Sequence, residues 1–250
     1  MQFKRASVYK SKILVLNMKL CIRKDIKRLR YVIKRLFHKE EFDFNKEDYL
    51  NYTLFHENSL FVKARTIKGL VKEHFVTNPL LKNEALFILD VGCGTGEIDR
   101  LIQGDFAKVT VIGVDSAIEA VRRATMRNLN NAKFLACSAE KFCFTDNVFD
   151  IVILANILHH SYRSILNIIQ ESLRVLNTSG KILIFEVNSL NPLQILWFYL
   201  FCPIDKGMHM VSPMHLRRIL KNVTADNGII TIKPLPSSLY FEYMAVYSKK

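Results

Sequence analysis

From residue 85 onward, short apolar runs alternate with stretches in which apolar residues recur every three to four positions. The runs at 85–91, 108–114, 133–136, 149–155 and 181–187 predict strands, and the stretches at 97–103, 117–129 and 164–176 predict helices. A strand that is apolar on both faces needs cover on both, which argues for a parallel sheet between helical layers. Past residue 187 the rhythm changes. Residues 214–220 predict a helix, while 229–233 and 239–247 read as strands close enough to pair with no helix between them. The expected fold class is α/β: a Rossmann-like, mostly parallel seven-stranded sheet with helices on both faces and an antiparallel terminal strand.

The first 84 residues follow other patterns. Residues 1–40 contain no Gly or Pro, and from Ile22 the apolar positions 22, 26, 29, 33, 36 and 37 fall along one line of a helix, with lysines and arginines on the rest. Residues 41–75 predict one or two further helices, ending before the turn signal Asn78-Pro79. The chain therefore divides into a basic amphipathic arm (1–40), a helical preface (41–84) and the main domain (85–250).

Composition changes this picture in one respect. With 50% apolar and 24% charged residues the chain supports a sizeable core and is not generally disordered. Its formal charge is +13, yet residues 1–40 alone hold thirteen Lys/Arg against two Asp/Glu, so nearly all the excess belongs to the arm. Such an arm serves an anionic membrane surface, a nucleic acid, or simply solvent. Basic side chains at an anionic leaflet contribute roughly 1 kcal/mol each, and residues 22–37 offer an apolar stripe as well. Nucleic acid ranks second, because no known RNA-binding module accompanies these charges. The five cysteines form no C-x-x-C pair and predict no metal site. No apolar stretch approaches the ~18–20 residues of a bilayer span. The expected setting is reducing and cytoplasmic, with peripheral contact at a membrane surface.

Candidate chemistry concentrates where the strand at 85–91 runs into Asp90-Val-Gly-Cys-Gly-Thr-Gly96. Glycines there let the backbone approach a ligand, and the following helix aims its amino end at the same crevice. A dinucleotide fingerprint would need its third glycine at 97, where Glu97 stands, so the G-x-G-x-G spacing disfavours NAD. The next strand leads to Asp115, nineteen residues after Gly96, placed to accept both hydroxyls of a ribose.

Asp90, the three glycines and Asp115 together resemble the cofactor site of class I S-adenosylmethionine-dependent methyltransferases of the small-molecule, type 11-like group. The resemblance continues through 134–150 (an adenine loop and fourth strand), 153–160 (a variable post-strand motif) and Arg174-Val-Leu-Asn-Thr-Ser-Gly-Lys-Ile-Leu183, similar to that family's R-V-L-x-x-G-G-x-L segment. It implies S-adenosylmethionine as cofactor. Asp90 would then help hold the methionyl ammonium, Gly92, Gly94 and Gly96 would shape the methionine pocket, and Asp115 would grip the ribose. Ser116 and Ile118 would lie near the adenine, Ser138 and Ala139 in the adenine loop, and Asn156 in the post-strand motif. Members often carry Asp before the Ala-Glu of that loop. Here it is Ser138, so either its hydroxyl or backbone groups read the adenine.

Methyl transfer from a sulfonium needs alignment more than a nucleophilic side chain. An acceptor that must lose a proton also needs a base. His159 and His160 follow the strand at 149–155, at the end where ligands bind in such sheets, and serve either as acid–base groups or as cavity walls. Glu186 ends the strand at 181–187 and either faces the same crevice or pairs with a neighbour. The aromatic run 196–201 is a candidate lid or core helix. The reading is a methyltransferase acting on a small-molecule acceptor, apolar or lipid-like ones included. The alternatives are an RNA methyltransferase using the arm and a non-catalytic cofactor-binding partner subunit.

Overall fold

The computed structural model describes residues 57–77, 85–103, 106, 108–201, 209–235 and 242–249. The basic arm and the membrane contact expected of residues 22–37 lie outside them. Seven strands form one sheet: β1 (Leu86–Val91), β2 (Val109–Asp115), β3 (Ala132–Ala136), β4 (Phe149–Ala155), β5 (Leu176–Val187), β6 (Ile229–Pro234) and β7 (Glu242–Ser248). Their order is β3-β2-β1-β4-β5-β7-β6. Strands β1 to β5 pair in parallel, and β7 enters antiparallel between β5 and β6, as the late pair of strand runs predicts. The chain order reverses between β1 and β4, and ligands of open α/β sheets bind at the carboxyl ends of the strands at such a switch point.

The helices are α1 (Glu57–Thr77), α2 (Glu97–Ile102), α3 (Ile118–Met126), α4 (Ile165–Val175), α5 (Pro192–Phe201) and α6 (Pro213–Thr224). Alternation along the strands splits the core in two. Leu89, Val91, Val152 and Leu154 point to one face, against Ile168 and Ile169 of α4 and Leu216 and Leu220 of α6. Their neighbours Ile88, Ile151 and Ile153 point to the other, where Ala64, Ile67 and Val71 of α1 meet Ile98 and Ile102 of α2. Helix α1, read from sequence as part of a preface, is thus a component of the core.

Among the strands, the boundary that departs furthest from the sequence reading is the start of β5. Strand β5 begins at Leu176, directly after α4, and its register against β4 shifts between Leu176, opposite Phe149, and Lys181, opposite Ile151. Gly180 makes this fold-back possible, since a Cβ there would lie 2.7 Å from Leu176 Cδ1. Arg174, beside it, ties down the preceding loop. Its guanidinium donates to Phe144 O at 2.8 Å and pairs with Asp146 and Glu171.

Candidate functional site

The turn after β1 hangs on β2. The N–H groups of Gly92 and Cys93 both donate to Val114 O, at 2.8 and 3.0 Å. Gly92, Gly94 and Gly96 all have positive φ (71°, 55° and 71°), which carries the chain from strand to helix in five residues at little steric cost. A Cβ at Gly92 would stand 2.8 Å from Ile157 Cδ1, so this glycine keeps the crevice open. At Gly96 a Cβ would stand 2.9 Å from Phe134 Cζ, so its smallness serves the packing of α2 against the sheet.

Asp115 ends β2 with its carboxylate held by two amides: Gly94 N–H donates to Oδ2 and Ala117 N–H to Oδ1, each at 2.9 Å. A carboxylate accepts about four hydrogen bonds, so capacity remains for a ligand. Burial raises the Asp115 carboxyl above the usual range, and the amide bonds oppose that shift. Asp90 is 2% exposed, and among the described residues its Oδ1 has no hydrogen-bond partner from the protein.

Between these acids lies a cavity of about 370 Å³. Of the residues singled out from sequence, Asp90, Gly92, Asp115, Ser116, Ser138, Ala139, Asn156 and His160 line it. Asn156 adopts a left-handed conformation (φ 58°), and its buried Oδ1 has no protein partner among the described residues. Ser138 turns its hydroxyl to its own loop, accepting from Glu140 N–H at 3.2 Å. Gly94, Gly96 and Ile118 are not lining residues. Gly94 acts through the amide that holds Asp115, and Ile118 is 72% exposed on α3. The volume falls within the range of small-molecule sites, about 300–1,000 Å³.

The reading in which Glu186 faces the crevice is corrected. Glu186 is fully buried and does not line the cavity. Its Oε1 accepts Leu158 N–H at 2.7 Å, and its Oε2 meets His159 Nδ1 at 2.6 Å. His159, 2% exposed, lies in this pair beneath the loop, and His160 reaches the cavity with its ring centroid 4.2 Å from that of His159. The two histidines therefore divide: one supports, the other faces the ligand. The two rings lie side by side, and which of them meets Glu186 and which meets the cavity is not disclosed by sequence order.

Sequence reasoning missed Leu60, which brings α1 to the cavity wall, together with Thr95, Ile157 and Ser161. A lone leucine 30 residues before the glycine turn carries no signal of such a role. It also missed Asp99, a fully buried acid on α2. Its signal was available, since an aspartate stood on the apolar face of an amphipathic helix. Among the described residues no cluster of three or more side chains suits a metal ion, and no helix is long and apolar enough to cross a membrane.

Comparison with known proteins bears on this geometry. A family model described as a methyltransferase domain matches residues 88–180, from β1 into β5. The ubiquinone/menaquinone biosynthesis C-methyltransferase UbiE of Stutzerimonas stutzeri is 31% identical over 109 residues, covering 40% of this chain and 41% of that protein. The protein of the same name from Ectopseudomonas mendocina is 30% identical over 117 residues, 42% of this chain and 44% of its own. The chain thus spans well under half the length of these relatives. Among solved structures, the plantazolicin methyltransferase BpumL in complex with SAH superposes with a TM-score of 0.64 at 15% identity, over 94% of this chain and 100% of that one. The [4+2]-cyclase SpnF gives 0.57 at 18% identity, over 74% and 80%. Structures this distant establish the fold alone, and a cyclase among them leaves the reaction to be argued from the site. The matched segment contains the glycine turn, Asp115 and residues 134–160 in order, and over residues 88–180 the chain is similar to methyltransferase domains.

Proposed function

We propose that the protein transfers the methyl group of S-adenosylmethionine to a small, apolar or lipid-like acceptor. The observation that carries the cofactor half is Asp115: a carboxylate held by backbone amides at the switch point and lining a cavity of about 370 Å³. The residues fit the group. Asp115 would take the ribose hydroxyls, the open oxygen of Asp90 the α-ammonium, Gly92 the methionine backbone, and Ser138 and Ala139 the adenine edge. When bound, the cofactor supplies an electrophilic methyl on sulfur.

The chain's own residues then bind, orient and exclude water. His160 lines the cavity, and its imidazole would be placed to receive a proton from the acceptor. The His159–Glu186 pair beneath it fixes the loop, because Glu186 holds both the His159 ring and the Leu158 amide. Two observations favour an apolar acceptor. The curated relatives are named for quinone biosynthesis. Helix α5 after β5 is apolar apart from Gln194 and leaves Leu193 and Leu196 exposed. An apolar acceptor also suits the basic residues 1–40, whose sequence is compatible with a membrane surface.

The test is incubation of the purified protein with cofactor labelled in its methyl group and a fractionated cell extract. Label in the lipid or small-molecule fraction is expected. Label confined to RNA would overturn the acceptor class in favour of the RNA reading, and no transfer despite cofactor binding would favour a non-catalytic partner subunit.

A further inference from the structure

Over its first turns helix α5 is inverted with respect to water. Gln194 is buried, while Leu193 and Leu196, one turn apart, and Leu190 in the turn ahead of the helix are exposed. A helix that borders solvent buries its leucines and presents its glutamine. Residues 188–191 alone separate α5 from the end of β5, so these leucines stand at the carboxyl end of the sheet, where the cavity lies.

Most other exposed apolar side chains gather at the same end. Met214 opens α6, and Val211 just ahead of it accepts the hydroxyl of Tyr243, which lies opposite Glu186 near the end of β5. Ile118 follows β2, Leu135 lies at the end of β3, Leu166 begins α4, and Phe61 neighbours the cavity-lining Leu60. At the amino end, the described residues leave Val76, Phe87, Met126 and Ile229 exposed, one on each of four elements. Scattered single residues of that kind are ordinary, whereas a concentration around a ligand site marks a docking surface.

Charge at the cavity end is mostly basic. Arg217 and Arg218 are exposed in the first half of α6, a helix without an acid, and Lys141 and Arg163 are exposed in the loops after β3 and β4. Glu119 is paired with Arg122 and Arg123, and the exposed Glu140 accepts the Ser164 hydroxyl. The chain also enters here. Helix α1 starts at Glu57, one turn before Leu60, so the 56 residues ahead of it, with the +11 of residues 1–40, join the fold at the cavity rim.

We propose that this rim is a docking surface for an anionic lipid bilayer, with the cavity opening toward the membrane. Leu190, Leu193, Leu196 and Met214 enter the headgroup boundary, while the arginines of α6 and the basic residues 1–40 meet lipid phosphates. The basic residues supply the long-range attraction, and the apolar rim sets which face meets the lipid. An acceptor of the apolar class proposed above then passes from bilayer to cavity without crossing water. A second copy of the chain suits the rim less well, because it would bring like charges together from both partners.

The experiment is flotation of the full chain, without cofactor, with vesicles of phosphatidylcholine and phosphatidylserine in equal parts. The double variant Leu193→Gln, Leu196→Gln removes apolar surface and leaves the charge unchanged, and Val76→Gln, Ile229→Gln does the same at the amino end. The rim variant should partition at least about tenfold less than wild type, and the amino-end variant should partition like wild type. Equal partitioning by wild type and the rim variant, or an equal loss in both variants, would overturn the proposal. A wild-type dimer in sedimentation that the rim variant dissolves, with flotation unchanged, would assign the rim to a second copy instead. Hydrogen exchange of wild type with and without vesicles needs no variant. Slowed exchange at residues 190–196 and 213–218 is expected, and slowing confined to residues 1–40 would leave the rim without a part in docking. Vesicle binding is read without cofactor, so its failure is distinct from failure of the methyl-transfer reading, which labelled transfer decides.

Discussion

Asp115 does two things at once, and a substitution there tests both. Its oxygens brace the turn through Gly94 and Ala117, and on the proposed reading the same carboxylate takes the ribose hydroxyls. Hydrogen bonds to a charged group are worth about 1.5–3 kcal/mol each, so Asp115→Ala should weaken S-adenosylhomocysteine by about 10²–10⁴-fold in calorimetry. Asp115→Asn should fall between, because its NH₂ would confront one of the two amide donors. The histidines separate on the same logic. His160 lines the cavity, so His160→Ala should lower turnover by about 10²-fold or more if it takes the acceptor's proton, with cofactor affinity little changed. Full turnover across pH 6–8 would leave it a wall residue.

At the scale of elements, α1 is the least expected contributor. It packs Ala64, Ile67 and Val71 into the core and is tied to β7 by a buried ion pair, Lys63 Nζ to Glu242 Oε1 at 2.6 Å, with Ser59 donating to the other oxygen. Leu60, one turn before Lys63, lines the cavity, so this clamp also sets the wall of the site. Removing one partner of a buried pair strands the other charge, at a cost of about 3–5 kcal/mol. Lys63→Met should therefore lower the urea midpoint by that equivalent, and the further change Glu242→Gln should recover part of it. An unchanged midpoint in Lys63→Met would mean that the pair contributes no net stability. The β5 boundary makes the complementary point: periodicity located the apolar run from Lys181, but the fold-back of residues 176–180 depends on how Gly180 meets Leu176 in space.

For the whole molecule the governing asymmetry is charge. Residues 1–40 carry a net +11 of the chain's +13. Deleting them should leave a folded domain that binds the cofactor yet no longer floats with anionic vesicles. Flotation of the full chain should weaken toward physiological salt, where the Debye length is about 8 Å. No flotation at any salt would refute membrane attachment, and displacement by a low concentration of RNA would favour the nucleic-acid role.

The sheet class, the glycine turn and the acid after β2 were legible in the sequence because each rests on local chemistry: strand patterning, glycine's freedom at positive φ, and a fixed spacing along one β-turn-α-β unit. What tertiary structure alone decided was direction and company. It brought His160 to the cavity and His159 to Glu186, made α1 a wall of the site, and buried Asp99 within the core. These depend on which side chains meet across elements distant in the chain, or across a single turn with two faces. Such meetings follow from packing the whole core, not from the pattern of any one segment.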